Sequence, residues 1–335
     1  MWADYARTFA IACMVFGHVE YFGMNGYYGF WNRLQDLFCM PLFFFLSGFF
    51  AKSLHNFHDA WRYIENKAFQ LLLPFVVCGL FYIFIFCPQR SWYSLFYCPN
   101  DGAHYGYWFL PVLFEMNLLF VICQIFVRSL RISDNLGKGL LVISIVLWGG
   151  LMILAILKLI PEVLDSLLTI SRIRWNFPFF IMGYFVAQNG QLEKFLSKKV
   201  YVITTTIFIV LYIIREKFSI NNLFFSYTLI FCAIQIICYL SHRYDSSGKE
   251  KFKGVLSYCG KRTLAIYVLH FFFIPKNIPW MNIIICPDGI KDANIAIELF
   301  VCGILAFIII VIVLLIELII NESWLFRRII LGKLK

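Results

Sequence analysis

Charge is scarce in this chain. Of its 335 residues only 14% are Asp, Glu, Lys or Arg, where a soluble protein carries about a quarter. The shortage excludes a water-soluble enzyme of ordinary surface. Several motifs are also missing. There is no phosphate-cradling G-x-x-x-x-G-K-S/T loop, no dinucleotide fingerprint and no H-E-x-x-H zinc helix. No G-x-S-x-G elbow surrounds Ser47, so its run reads as small residues that let helices approach closely. The 11 cysteines include no C-x-x-C pair, and most sit in apolar runs as small buried hydrophobes. Cys87, Cys98 and Cys286 lie near the expected outside loops, but their spacing supports no disulfide. His55 and His58 lack the acidic and cysteine company of a metal site. No internal repeat of the kind that builds many transporters is visible.

What is present is apolar. Hydrophobic residues make up 61% and aromatics 19%, with 38 Phe, and the mean hydropathy is +0.78. We read an all-α, polytopic membrane helix bundle forming a single domain over residues 1–335. About ten spans of near bilayer length fit the chain: roughly 5–23, 37–53, 69–87, 105–127, 139–158, 174–190, 200–214, 222–241, 263–285 and 293–320. The net charge of +10 does not point to nucleic acid, because the basic residues fall between apolar runs. Their largest cluster (Arg243, Lys249, Lys251, Lys253, Lys261, Arg262) sets both termini on the cytoplasmic side by the positive-inside rule. The first apolar run continues into Tyr21-Phe22-Gly23 rather than a small-residue cleavage site, so no cleaved signal peptide is expected there.

The first run, Asp4 to Glu20, carries the strongest chemical signal. Arg7 and His18 are eleven residues apart. On a helix that is almost three turns, which puts both on one face about 16 Å apart. Asp4 is Arg7's neighbour by the same geometry. A histidine deep in a span either acts as a general base or donates a structural hydrogen bond. Glu115 falls at similar depth in the fourth span and is either an orienting partner for His18 or a structural carboxylate. Arg7 is either a binder of a phosphate-bearing cytoplasmic donor or simply the ion-pair partner of Asp4. His270, within the ninth span, ranks behind these. Trp108 is read as a sugar-stacking ring or an interfacial anchor. Arg172 and Arg174, at the outer edge of the sixth span, are read as cations for an acceptor or as partners of Glu162 and Asp165. Asp101 and His104 lie in the outside loop before the fourth span.

These elements, in order, resemble a family. Arg7 and His18 with ten residues between them are similar to the first-helix motif of integral-membrane acyltransferase family 3, the fucose 4-O-acetylase-like and O-antigen acetyltransferases. Phe43-Phe44-Phe45-Leu46-Ser47-Gly48-Phe49 resembles its second helix. Trp108-Phe109-Leu110-Pro111 resembles its Trp-Phe-Leu segment, and Phe179 to Tyr184 and Tyr258 to His270 its later elements. The family often has several arginines between helices two and three. Here Arg62 and Lys67 are the cations ahead of Gln70 and Leu71-Leu72-Leu73-Pro74.

The resemblance implies ten helices and a multi-pass enzyme of the cell inner membrane. It implies transfer of an acetyl or other acyl group from cytoplasmic acyl-CoA, acetyl-CoA first, to a hydroxyl of a cell-surface or lipid-linked glycan. It makes His18 catalytic, as general base or transient acyl carrier, with Arg7 as its partner in the motif. On that reading the basic inside face, with Arg62 and Lys67, meets the donor phosphates. The acceptor arrives near Trp108, Arg172 and Arg174, and no metal is required. The rival readings are a proton-coupled transporter or flippase for a lipid-linked sugar, with His18 and Glu115 as a proton relay, and a non-catalytic membrane partner of a polysaccharide synthase.

Overall fold

The computed structural model describes residues 1–87, 89–96, 106–129, 136–188, 190–218, 222–247, 250–286 and 293–333. Cys98, Asp101, His104 and Lys249 lie outside the described residues. Among those described there is no strand. α1 runs Trp2–Gly23, α2 Phe30–Gln35 and α3 Cys39–Phe49. α4 (Phe57–Lys67) and α5 (Leu73–Phe86) are joined without a break by a π turn over Ala68–Leu72. Then come α6 (Phe109–Ser129), α7 (Leu136–Ile156), α8 (Glu162–Leu168) and α9 (Ile170–Gln188). α10 (Leu192–Phe195) is one turn long and leads into α11 (Lys198–Phe218), α12 (Leu223–Ser247) and α13 (Glu250–Gly260). α14 (Thr263–Leu269) tightens into a 3-10 turn at His270–Phe272, followed by α15 (Pro279–Ile285), α16 (Ile295–Glu322) and α17 (Trp324–Leu331).

Among the described residues five helices are long and apolar enough to cross a membrane: the continuous 30-residue α4–α5 helix, α6, α7, α12 and α16. Of the other expected spans, α1, α9 and α11 have 22, 19 and 21 residues. They are less apolar because each carries charge: Asp4, Arg7 and Glu20 in α1, Arg172 and Arg174 in α9, and lysines and an arginine at the ends of α11. The remaining two differ from the expected length. α3 has 11 residues. The stretch 263–285 is interrupted after His270, where Pro275 and Pro279 each remove a backbone donor and Asn277 turns with φ +50°. Conversely, the segment around residues 57–67 that reads as an inside loop is helical. Asn56 starts it by accepting the Asp59 N–H at 2.8 Å.

The π turn has a local cause. Pro74 has no N–H to give the Gln70 carbonyl four residues back, and its ring crowds that carbonyl. The helix therefore widens by one residue there rather than breaking.

The chain forms two compact units, Met1–Phe43 with Glu193–Ile319, and Phe44–Leu192 with Ile320–Lys335. In the first unit α1 packs against α2, α12, α13 and α14, and α11 pairs with α12. A buried polar tie fastens that pair: Thr204 Oγ1 donates to Gln235 Oε1 at 2.5 Å, and Gln235 Nε2 donates to the Phe195 carbonyl at 2.8 Å. In the second unit α6 packs on α4, α7 and α9. There α3 and α9 approach backbone to backbone. A Cβ on Gly48 would strike the Phe180 carbonyl, and one on Gly183 the Phe45 carbonyl. Small residues at such crossings let dispersion contacts hold helices that lipid does not push together. The outer face of α7 exposes Ile145, Val146 and Ile156, a surface suited to acyl chains rather than water.

Candidate active site

α1 is unbroken from Trp2 to Gly23, so the expected register of Arg7 and His18 on one face holds. His18 meets a second histidine. Its Nδ1 lies 2.9 Å from Nε2 of His270, and the rings lie 5.2 Å apart, 8° from parallel. His270 is fully buried. It sits where α14 tightens, and this turn aims its Nδ1 at two backbone carbonyls, Tyr267 at 2.7 Å and Ile266 at 3.0 Å.

Those carbonyls decide the protons. A carbonyl only accepts, so His270 Nδ1 carries hydrogen. In the neutral ring its Nε2 then bears the lone pair and accepts from His18 Nδ1–H. That leaves the His18 Nε2 lone pair free, and among the described residues nothing bonds to it. A neutral imidazole in this tautomer can take a proton from a hydroxyl. Phe22 and Phe271 flank His18 with centroids 6.0 and 5.0 Å away, and Phe271 also covers His270 at 4.1 Å.

The start of α1 is fixed by α13. Arg7 Nη1 pairs with Asp4 Oδ1 at 3.2 Å. Ser257 Oγ donates to the other Asp4 oxygen at 3.3 Å, and Thr8 Oγ1 donates to the Leu256 carbonyl at 2.6 Å. Gly260 lies so close that a Cβ there would strike the Asp4 carbonyl.

The other sequence candidates belong to the second unit. Glu115 accepts from Thr169 Oγ1 at 2.9 Å. Thr169 is the left-handed residue (φ +44°) between α8 and α9. His18 thus takes its orienting bond from His270, and Glu115 its bond from Thr169. Trp108 and Arg172 are brought together, with the guanidinium 4.0 Å over the indole. Asp165 caps the start of α9, accepting Ser171 N–H at 2.6 Å and Ser171 Oγ–H at 2.7 Å. Arg174 lies in the next part of the same helix. Arg62 is exposed on α4, and Lys67 lies 5.5 Å over the Tyr63 ring. Tyr63 ties α4 to α6 through Asn117 Oδ1 at 2.5 Å. Cys87 and Cys286 are free thiols. Among the described residues no group of three His, Cys, Asp or Glu is placed to hold a metal ion.

A histidine pair set by backbone carbonyls thus lies inside a bundle of apolar helices. The family model for the acyltransferase domain, acyltransferase family 3, matches residues 2–316. The chain belongs to that family. Neither the curated proteins nor the solved structures give a match. The match takes in α1 and the His270 turn, so both histidines of this membrane acyltransferase lie inside the family domain.

Sequence reasoning ranked His270 second because depth along a span does not say which helices touch. It passed over Glu20 and Glu298 altogether, both fully buried in the first unit. The available signal was an acidic residue inside each of the first and last apolar runs.

Proposed function

We propose that this membrane acyltransferase is an O-acetyltransferase of the inner membrane that moves an acetyl group from acetyl-CoA to a hydroxyl of a cell-surface or lipid-linked glycan. The observation that carries the reading is the free His18 Nε2, presented by a tautomer that His270 and two carbonyls impose. The acceptor oxygen gives its proton to His18 Nε2 as it attacks the thioester carbonyl. The carbon–sulfur bond then breaks, and the CoA sulfur recovers that proton, so charge balances. His270 accepts from Nδ1–H throughout and favours the imidazolium that forms.

Arg7, on the same face of α1, and the cations Arg62 and Lys67 are assigned to the donor phosphates. Trp108 with Arg172 and Arg174 is assigned to the acceptor; one indole face already holds Arg172, so a sugar would meet the guanidinium edge or the opposite face. Glu115 is assigned as a positioning carboxylate for the α8–α9 turn through Thr169. The test is thiol release from acetyl-CoA by purified protein with and without a glycan acceptor, followed by mass analysis of the glycan. Acceptor-dependent release and an acetylated glycan are expected. Release that no glycan stimulates, with no acetylated product, would overturn the reading.

A further inference from the structure

Past the end of α1 the chain turns through Asn25 (φ +54°) and Gly26 (φ +88°) before entering α2. The turn is built in, because Asn277 and Ile278 donate backbone bonds to the Phe22 and Gly23 carbonyls at 2.9 and 2.8 Å. It walls a cleft of about 480 Å³, lined by Asn25, Tyr27, Tyr28, Phe30 and Arg33 and closed on the far side by Ile295. Trp31 Nε1 donates to the Ile295 carbonyl at 3.1 Å and holds that side in place. The cleft begins six residues beyond His18, about 9 Å further along the helix axis.

Beneath its wall lies an acid pair. Glu20 and Glu298 are both fully buried. Glu20 Oε1 accepts the Gly29 N–H at 2.7 Å. A Cβ on Gly29 would sit 2.5 Å from Glu20 Oε1 and 2.9 Å from Glu298 Oε1, so both carboxylates back this one residue between Tyr28 and Phe30. The two side chains are hydrogen-bonded to each other, and the Asn32 side chain donates to Glu20. Tyr27 joins the two features: it lines the cleft and faces both carboxylates. Burial, then Glu298, Cys286 and Glu20, push its phenol up to about 12, which keeps it a hydrogen-bond donor.

We propose that this cleft is an acceptor subsite that binds a neutral, hydroxyl-rich sugar, resting on the acyl-transfer reading above. Three observations choose that chemistry. Three aromatic residues, Tyr27, Tyr28 and Phe30, line it, the residue type that packs on the C–H side of a pyranose. Asn25, Arg33 and Tyr27 offer donors to its oxygens. The charge balance is wrong for phosphate: Arg33 is the cation of the lining, and Asp36, which accepts from Tyr28, follows it by three residues. The volume suits roughly one or two sugar rings.

The experiment uses the full chain in a non-glycosidic detergent, without acyl-CoA. Methyl α-glucoside, methyl α-galactoside, methyl α-fucoside and N-acetylglucosamine are titrated by saturation-transfer NMR, with glucose 1-phosphate as the anionic comparison. At least one neutral sugar is expected to bind, at least tenfold more weakly in Tyr27→Ala and in Arg33→Ala, with glucose 1-phosphate no tighter. Arg33 is exposed, so its variant keeps the fold even where Tyr27→Ala does not. Equal binding in wild type and Arg33→Ala, or no neutral sugar bound by protein that acetylates glycan, overturns the subsite and leaves acyl transfer standing. Sugar binding that is lost in Arg33→Ala, by protein that transfers no acyl group, confirms the subsite and overturns the acyl-transfer reading instead.

Discussion

His270 holds His18 through one nitrogen and leaves the other bare. The 2.9 Å bond between them and the 2.7 Å approach of His270 Nδ1 to the Tyr267 carbonyl form one line of donors and acceptors. His270 therefore acts through His18 and is a positioning residue. His18→Ala is expected to abolish acetyl transfer. His270→Ala is expected to lower kcat by about 10²–10⁴-fold with little change in the acetyl-CoA KM, because the ring still exists but its tautomer is no longer imposed. His270→Gln, whose amide oxygen can accept from His18 Nδ1–H, is expected to recover part of that loss. Stopped thiol-release kinetics on the three variants check this; a KM effect without a kcat effect in His270→Ala would assign it to binding.

Arg7 faces two demands, its ion pair with Asp4 and the donor assigned to it. Arg7→Ala is expected to raise the acetyl-CoA KM about tenfold or more, with Arg7→Lys intermediate since an ammonium keeps charge but loses the bidentate fork. The comparison to make is dephospho-CoA thioester as donor: the penalty for Arg7→Ala shrinks if Arg7 meets the phosphate that this donor lacks.

Arg262 Nε lies 2.9 Å from Glu317 Oε2, with Glu317 fully buried and the guanidinium 3.5 Å over the Tyr258 ring. Arg262→Leu takes the ion-pair cation from a buried carboxylate and is expected to destabilise by up to about 3–5 kcal/mol. Adding Glu317→Leu should recover most of it. Thermal unfolding of the single and double variants in detergent measures both numbers.

The α3–α9 crossing predicts a different pair. Gly48→Ala and Gly183→Ala each drive a methyl group into a backbone carbonyl and are expected to destabilise by about 1–3 kcal/mol. Gly149→Ala meets open space and is expected to change little or to stabilise slightly, since alanine is the better helix former. The same unfolding assay ranks the three.

Helix type and the register of Arg7 and His18 were legible because a long apolar run with a polar residue at helical spacing admits few other shapes. That Ser47 and Gly48 let a helix approach closely was legible from residue size; that Gly183 lies at the same crossing was not. The partner of His18 was not, since depth in a bilayer constrains one coordinate and leaves the neighbouring helix open; Glu115 and His270 looked alike on that axis. α2 and α8 were missed inside stretches that read as loops, because helices of six and seven residues leave too few turns for a periodic signal. The break at His270 was hidden by uninterrupted hydrophobicity up to Pro275.

The widened turn at Ala68–Leu72 amounts to one surplus residue wedged into a helix. Gly332, at φ +59°, lies so close that a Cβ there would meet the Gln70 carbonyl oxygen at 2.7 Å. Excising a single residue from that turn would rewind the helix, swinging α4 by about 100° relative to α5 and drawing it in by about 1.5 Å. Tyr63 would then point away from Asn117, and Arg62 and Lys67 would turn with it through the same angle. The surplus residue is thus a rotational setting: it decides, from within α5's own axis, which way the cations of α4 look.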